Sequence, residues 1–251
     1  MKSTLNWLDY AEGSLPEHVN AYLDYGCGRG GMLRRVAPRA RRTCGVDVDP
    51  EVLPSIPGVE TGVVREGEPL PFPSESFDVV TCLEVIEHVA DEKKTLRELA
   101  RVLRPGGTLI LTTPHKGWLT WVDPGNVKFA FPRIHRFVHW ILGNRQYGER
   151  FGAARREQLG MISDISANQE RPWHRHYKYE EIRALADDSL ETISWETKYP
   201  GMRLSWYILI VWRALFRRDP RWLDRLTAPL SRWRTTGGDQ LVIVFRKSNS
   251  R

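Results

Sequence analysis

Short apolar runs alternate with amphipathic segments along the first half of the chain. The apolar runs predict strands, and the segments with apolar residues three or four positions apart predict helices. The predicted strands are 22–27, 43–49, 59–64, 77–83 and 108–113, and the predicted helices are 31–37 and 91–103. The pattern is typical of parallel β-α-β units, so we predict an α/β sheet covered by helices on both faces.

The pattern changes after residue 115, where long polar and aromatic stretches interrupt it. We predict two insertions, 116–175 and 200–238, the first with a helix over 132–142. Between and after them the pattern resumes, with a predicted helix over 179–186 and predicted strands over 191–199 and 240–245. We therefore predict a single domain over residues 1–251, with a core of 20–115, 176–199 and 239–247.

The amino-acid composition excludes several classes of protein. Hydrophobic residues make up 41% of the chain and charged residues 27%, which excludes a largely disordered protein. Cys27, Cys44 and Cys82 lie in apolar runs without the spacing of a zinc site or a disulfide framework. The N-terminus lacks the apolar core of a secretion signal, so we expect a reduced, cytoplasmic protein.

Charge is divided unequally between the two halves. Residues 1–115 hold 13 Lys and Arg against 17 Asp and Glu, whereas residues 116–251 hold 24 against 14. Nine of the ten tryptophans also follow residue 115. Basic and tryptophan-rich sequence favours an anionic partner, either lipid headgroups or nucleic acid, although a solvated basic face around core tryptophans would give the same composition.

A glycine-rich loop, Asp24-Tyr-Gly26-Cys-Gly28-Arg-Gly30-Gly31, separates the first strand from the first helix. Glycines let the backbone pass close to a ligand and aim the helix N-terminus at it. The loop fits a dinucleotide pattern through Gly31 and an S-adenosylmethionine pattern through Gly30. Asp47 ends the next strand, where a carboxylate binds ribose hydroxyls in either case.

Three further motifs favour S-adenosylmethionine over a dinucleotide. They are Leu70-Pro-Phe-Pro-Ser-Glu-Ser-Phe-Asp78, Leu83-Glu-Val-Ile-Glu-His88 and Arg101-Val-Leu-Arg-Pro-Gly-Gly-Thr-Leu-Ile110. In this order the motifs closely resemble the class I S-adenosylmethionine-dependent methyltransferases, especially the group that includes the ubiquinone-type O-methyltransferases. The resemblance covers roughly residues 20–114, and weakly 176–199 and 240–247. It implies a Rossmann-like, seven-stranded, mostly parallel sheet with S-adenosylmethionine as cofactor.

The resemblance also implies roles for individual residues in binding the cofactor. Gly26, Gly28 and Gly30 would pass beneath its methionine part, and Asp24 would orient the loop or reach the amino group through water. Asp47 would accept hydrogen bonds from the ribose. Glu66 would lie near the adenine, where the family often has an aspartate, and Leu83 would pack against the cofactor.

Methyl transfer to a hydroxyl group requires a general base, and histidine suits proton removal near neutral pH. The candidate catalytic residues are His88 and His115, both expected just beyond strand ends on the cofactor side. His174 and His176 are further candidates from the first insertion. His88 would equally fit a role in orienting its loop.

The sequence Glu84-Val-Ile-Glu87-His88 raises a further alternative. In some ubiquinone-type O-methyltransferases and small-RNA 2′-O-methyltransferases, which look similar here, such residues hold a divalent metal. Related chains without a metal share the Glu-His pair, so we assign no metal ligands. The alternatives to a small-molecule methyltransferase are thus a metal-assisted RNA 2′-O-methyltransferase and a non-catalytic membrane-binding adaptor, with an NAD-dependent dehydrogenase less favoured.

The second insertion is the most apolar and among the most basic parts of the chain. Its apolar run, Leu204–Phe216, is 13 residues long, too short to cross a bilayer. Residues 200–236 contain eight arginines and two acidic residues. We expect the insertions to form a lid that docks on anionic lipid at the inner face of the membrane, or a helical cap around the substrate. We therefore expect a small apolar or lipid-linked methyl acceptor, rather than nucleic acid, as the partner.

Overall fold

A computed structural model of the chain describes residues 7–117, 120, 175–198, 212, 216 and 238–249. Seven strands lie in these residues: β1 (Val19–Tyr25), β2 (Ala40–Asp47), β3 (Val59–Val63), β4 (Phe77–Leu83), β5 (Leu103–Pro114), β6 (Leu190–Lys198) and β7 (Gln240–Lys247). The described helices are α1 (Trp7–Gly13), α2 (Gly31–Val36), a 3₁₀ turn (Ala37–Arg39), α3 (Glu92–Val102) and α4 (Tyr179–Leu185).

The strands form one sheet in the order β3-β2-β1-β4-β5-β7-β6. β7 pairs antiparallel with β5 and β6, and the other pairs are parallel. The Rossmann-like, mostly parallel α/β sheet expected from the sequence is therefore confirmed. The chain passes from β1 to β2 on one side, and β4 then pairs on the other side of β1. A crevice opens at this point, at the carboxyl ends of the strands.

Apolar residues cover both faces of the sheet. On one face α3 packs with its predicted apolar side, and on the other α1 and α2 pack together. The buried side chains from the helices are Leu96, Leu99 and Val102 on the first face, and Ala11, Met32, Leu33 and Val36 on the second. The three cysteines are free and buried, as expected for a reduced protein core.

Local residues explain where helix α3 begins and ends. The Asp91 side chain accepts a hydrogen bond from the Lys94 backbone N–H at 2.8 Å, which satisfies one of the free amides of the first turn. Leu103 has extended backbone and ends the helix. Residues 104–107, which separate the predicted helix 91–103 from the predicted strand 108–113, already belong to β5. Phe77 pairs with Leu103 and Val79 with Thr108, so β5 carries a bulge that accommodates Gly106 at φ +74°.

Other boundaries differ from the prediction by a few residues. β1 starts at Val19 and stops at Tyr25, because the glycine loop begins there, and β2 spans residues 40–47 rather than 43–49. The sequence pattern did not predict α1, whose seven residues are too few for a clear periodicity. Apart from β5, which starts five residues before the predicted residue 108, the remaining predicted elements in the described residues are found within one or two residues.

The described ends of both predicted insertions lie at the edge of the sheet that carries the crevice. Pro114, at the end of β5, pairs with Gln240, the first residue of β7, and Lys198, at the end of β6, pairs with the same residue. The helix predicted over 132–142 lies outside the described residues. Of the apolar run 204–216, only Trp212 and Phe216 are described; both are helical, with ring centroids 4.4 Å apart. In the described part of the chain, no helix has the length and hydropathy needed to span a bilayer.

Candidate active site

The glycine loop after β1 forms one wall of the crevice. Gly26, Gly28 and Gly30 all have positive φ, at +76°, +49° and +77°. A Cβ atom on Gly26 would lie 2.2 Å from Cγ2 of Val85, so this position has no room for a side chain. The loop therefore brings bare backbone against the residues that follow β4, as a ligand-binding glycine loop requires.

Asp47 connects the end of β2 to this loop. One oxygen of its carboxylate accepts a hydrogen bond from the Gly28 backbone N–H at 2.8 Å, and the other accepts one from the Asp49 N–H at 3.0 Å. Each carboxylate oxygen has a second lone pair. The two amides thus fix the orientation of a carboxylate that retains acceptor capacity for a pair of hydroxyl groups.

A cavity of about 160 Å³ lies between the glycine loop, the end of β2 and the residues after β4. Four residues predicted for the site line it: Gly26, Asp47, Glu66 and His88. A second cavity, of about 720 Å³, lies between helix α3 and the connection from β3 to β4, which contains no helix. Tyr25, Val48, Val64 and Glu66 line both cavities, so the two adjoin.

Glu66 lies at the boundary between the two cavities. Its carboxylate accepts a hydrogen bond from the backbone N–H of Ala90. Burial raises the pKa of Glu66 to about 7, an effect that Arg175 opposes and Glu92 reinforces. The side chain can therefore present either a carboxylate or a carboxylic acid near neutral pH.

The segment 84–88 forms the opposite wall. Glu84 has a φ of +57°, an uncommon value for a residue with a side chain, and the His88 N–H closes a turn on the Val85 carbonyl at 2.9 Å. Nε2 of His88 lies 3.9 Å from a carboxylate oxygen of Glu87, whose side chain is 1% exposed. This turn places Glu84 and His88 in the cavity and Glu87 beneath it.

Asp24 and Leu83 lie behind this wall rather than on it. Asp24 is buried in β1 and accepts a hydrogen bond from the Thr81 hydroxyl at 2.7 Å. Leu83 packs in the core cluster that includes α1 and α2. Neither residue lines a described cavity, so the structure does not bring them into direct contact with the crevice.

His115, the other candidate base, lies directly after β5. Its Nδ1 is 2.8 Å from the carbonyl oxygen of Gly238, and because a carbonyl can only accept, Nδ1 carries the proton. The ring is 9% exposed and lines neither described cavity. His176 follows the first insertion and also lies outside these cavities, and His174 lies outside the described residues.

Glu84, Glu87 and His88 do not converge on one point. The Glu84 carboxylate accepts hydrogen bonds from Thr112 and Gln240, whereas Glu87 accepts one from Thr113. Within the ranges that the structure describes, no group of three or more His, Cys, Asp or Glu side chains could hold a metal ion. The hydrogen bonds of Glu84 and Glu87 thus hold the two carboxylates to different partners.

Several residues that line the two cavities were not assigned to the site from the sequence. Val48 follows Asp47 directly, and an apolar residue at that position of a strand end is a signal that could have been used. Val85 and Tyr25 lie within the quoted motifs but were given no role there. By contrast, Gln240 is 156 positions from Glu84, and no local pattern would have joined the two.

Comparison with known proteins agrees with this geometry. A family model for a methyltransferase domain matches residues 23–111. A ubiquinone biosynthesis O-methyltransferase from Pseudomonas putida (strain GB-1) is 30% identical over 190 residues, which cover 69% of this chain and 77% of the relative. The protein of the same name from Pseudomonas aeruginosa (strain UCBPP-PA14) is also 30% identical over the same shares.

Solved structures with the same fold include S-adenosylmethionine-dependent methyltransferases. One from Mesorhizobium loti superimposes with a TM-score of 0.56 at 18% identity, covering 96% of this chain and 100% of the other. One from Methanosarcina mazei gives 0.52 at 18% identity, covering 96% and 98%. The chain belongs to the class I S-adenosylmethionine-dependent methyltransferases, and its cofactor is S-adenosylmethionine.

The residues of the crevice fit this cofactor. Gly26 lines the smaller cavity without a side chain, which suits the close approach of the methionine part, and the oriented Asp47 carboxylate suits a ribose diol. Apolar side chains of Val48 and Val64 beside Glu66 suit an aromatic base with an amino group. The assignments of Gly26, Asp47 and Glu66 as cofactor-binding residues stay predictions, now with a cavity to hold the ligand.

Proposed function

We propose that the enzyme methylates oxygen on a small apolar or lipid-linked acceptor, with His88 as the general base. One observation carries the proposal: His88 lines the same cavity as the glycine loop and Asp47. A base in that position is near the group that receives the methyl, whereas His115 lies outside the described cavities.

S-adenosylmethionine supplies the reaction with an electrophilic methyl group on a sulfonium. The chain's own contribution is largely orientation, because displacement at a methyl carbon needs attacker and leaving group in line. The glycine loop and Asp47 would fix the donor. His88 would accept the proton of the acceptor hydroxyl, and the neighbouring Glu87 carboxylate would stabilise the imidazolium that forms.

The acceptor class rests on two observations. Relatives 30% identical to this chain are named for O-methylation in ubiquinone biosynthesis, a pathway whose product is lipid-like. The described ends of the two predicted insertions lie at the edge of the sheet that carries the crevice, and the second insertion contains the apolar run 204–216. An apolar acceptor would suit an enzyme with such an apolar segment.

The decisive experiment is transfer of labelled methyl groups to fractionated cell extracts. We expect the label in the lipid or apolar small-molecule fraction, on an ether or ester oxygen that mass spectrometry identifies. Label in the RNA fraction, or transfer that a chelator abolishes, would contradict the proposal.

Substitution of the base tests its role separately. His88→Gln should lower kcat by about 10²–10⁴-fold while the cofactor dissociation constant changes by less than about threefold. His18→Gln, which alters an exposed histidine before β1, is the matched control and should behave like the wild type. A His88→Gln enzyme with normal kcat would show that His88 only shapes its loop.

A further inference from the structure

The residue Glu84 has no role in the function proposed above, yet it is built into the cofactor cavity. It lines that cavity with Gly26, Asp47 and His88. Its backbone is left-handed, at φ +57°, a strained conformation for a residue other than glycine. Such a conformation persists only where the surroundings hold it in place.

Two neighbouring strands hold Glu84. Its backbone N–H donates to the Thr112 carbonyl at 3.1 Å, and the Thr112 hydroxyl donates to its carboxylate at 2.8 Å. The buried Gln240 side-chain amide donates to the same carboxylate oxygen. Bonds from β5 and β7 therefore fix both the backbone and the side chain of a residue at the end of β4.

The charge of this fixed side chain matters because of what the cavity binds. S-adenosylmethionine carries a positive sulfonium, whereas the product S-adenosylhomocysteine has a neutral thioether and otherwise the same groups. A carboxylate in a partly buried cavity attracts a cation more strongly than the same carboxylate in water. Three acidic residues line the cavity. Asp47 is assigned to the neutral ribose and Glu66 to the adenine, which leaves Glu84 for the sulfonium.

We propose that Glu84 is a specificity-determining residue that recognises the positive charge of the sulfonium and so favours the methyl donor over the spent product. Transfer of the methyl group removes the positive charge and with it this attraction. Glu84 thus strengthens binding of the methyl donor and has little effect on binding of the neutral product. The inference concerns the cofactor alone and is independent of the acceptor proposed above.

Calorimetric titration of Glu84→Gln with three ligands tests the proposal. Glutamine is nearly isosteric and keeps an oxygen that accepts from Thr112 and Gln240, so the negative charge is lost while these two hydrogen bonds are kept. We expect affinity for S-adenosylmethionine to fall about tenfold and affinity for S-adenosylhomocysteine to change less than about twofold. Sinefungin, which bears an ammonium group near the sulfonium position, should weaken like the methyl donor.

The matched control is Glu51→Gln, which removes an exposed carboxylate after β2 that lines neither cavity. It should leave the ratio of the two dissociation constants at the wild-type value. Equal weakening of donor and product in Glu84→Gln would overturn the proposal, since it would indicate the shared amino group or a structural role. So would an effect that appears only when a divalent cation is added, since the carboxylate would then serve a metal.

Failure of this proposal is distinguishable from a misplaced cofactor site. If the cofactor binds elsewhere, both Glu84→Gln and Asp47→Ala leave all three affinities unchanged. If only the role of Glu84 is wrong, Asp47→Ala still weakens binding.

Discussion

Asp47 shows how one carboxylate can organise a binding site before any ligand arrives. Its two oxygens accept backbone N–H groups from Gly28 and Asp49, which belong to the loops after β1 and β2. The carboxylate is therefore already oriented, and Asp47 lines a cavity that Gly26 and His88 also line. Little side-chain entropy remains to be lost when a ribose binds.

Replacing Asp47 with alanine should weaken cofactor binding by roughly 10–100-fold, because hydrogen bonds to a charged acceptor contribute about 1.5–3 kcal/mol. Calorimetry with S-adenosylmethionine measures the change, and Glu51→Ala serves as the exposed control. Thermal unfolding should show that both variants remain folded. An unchanged affinity in Asp47→Ala would remove the ribose assignment and the location of the cofactor with it.

Unlike Asp47, which lines the cavity, Asp24 is buried behind the glycine loop. Burial raises its pKa to about 7 from an ordinary value near 3.8, the Thr81 hydroxyl opposes that shift, and the Asp47 charge adds to it. The native protein thus binds this proton more tightly than the unfolded chain does. The contribution of Asp24 to stability is greatest below about pH 4 and is lost as the pH rises through about 7.

Asp24→Asn should therefore stabilise the cofactor-free protein increasingly as the pH rises. The asparagine oxygen can still accept from Thr81, and no charge is buried. Between pH 5 and pH 8 we expect the advantage over the wild type to grow by at least about 1 kcal/mol, or about 2–4 °C in Tm. Thermal unfolding at both pH values measures it. Parallel curves for the two proteins would mean that Asp24 titrates normally.

Among the elements, α3 is bonded to the crossover from β3 to β4. This connection contains no helix, and its backbone is fixed instead by two residues of α3. Arg101 donates to the carbonyls of Leu70 and Phe72, and Glu98 accepts from the Leu70 N–H at 2.7 Å. The helix therefore supports one wall of the larger cavity as well as the core.

Weakening the start of α3 should lower the stability of the protein measurably. Asp91→Ala removes the hydrogen bond to the Lys94 N–H, which costs about 0.5–2 kcal/mol. A decrease of about 2–4 °C in Tm per kcal/mol is expected. Asp91→Asn keeps an acceptor at the cap and should unfold near the wild-type temperature. If both variants melt together with the wild type, the cap contributes nothing.

The elements also show why the sequence predicted the fold well. Many residues of the motifs that support the family resemblance join elements of the fold to one another. Asp78 accepts from the Ala21 N–H in β1 and from Arg104 after α3, and Arg101 binds the connection that follows β3. Such residues join elements at fixed positions, so they stay recognisable in a single sequence. The bulge in β5 was missed because Gly106 and Gly107 also suit a turn.

At the scale of the whole molecule, the sequence allowed predictions for residues next to strand ends but not for contacts between distant segments. Gly26, Asp47, Glu66 and His88 were predicted because each follows a recognisable strand. The cavity that unites them, and the bond from Gln240 to Glu84, depend on the order β1-β4-β5-β7. The sequence pattern places each residue on an element, whereas sheet order decides which elements meet.

The same sheet order brings the described ends of the predicted insertions to the cofactor edge. Pro114, Lys198 and Gln240 pair there, and residues 200–236 carry eight arginines against two acidic residues. We propose that this basic segment binds anionic lipid at the inner face of the membrane. An acceptor embedded in lipid could then reach the methyl donor directly.

Flotation with liposomes tests this proposal. We expect the protein to float with vesicles containing anionic lipid at low salt, to remain behind with neutral vesicles, and to dissociate as salt screens the charges. Arg217→Gln with Arg218→Gln should weaken flotation, because each basic residue near an anionic surface contributes about 1 kcal/mol. The matched control is Arg41→Gln with Arg97→Gln, two exposed arginines of the described core. If both double variants lose flotation equally, the vesicles attract the net charge of the protein and not this segment. If the protein does not float even at low salt, the alternative of a cap over the substrate is favoured.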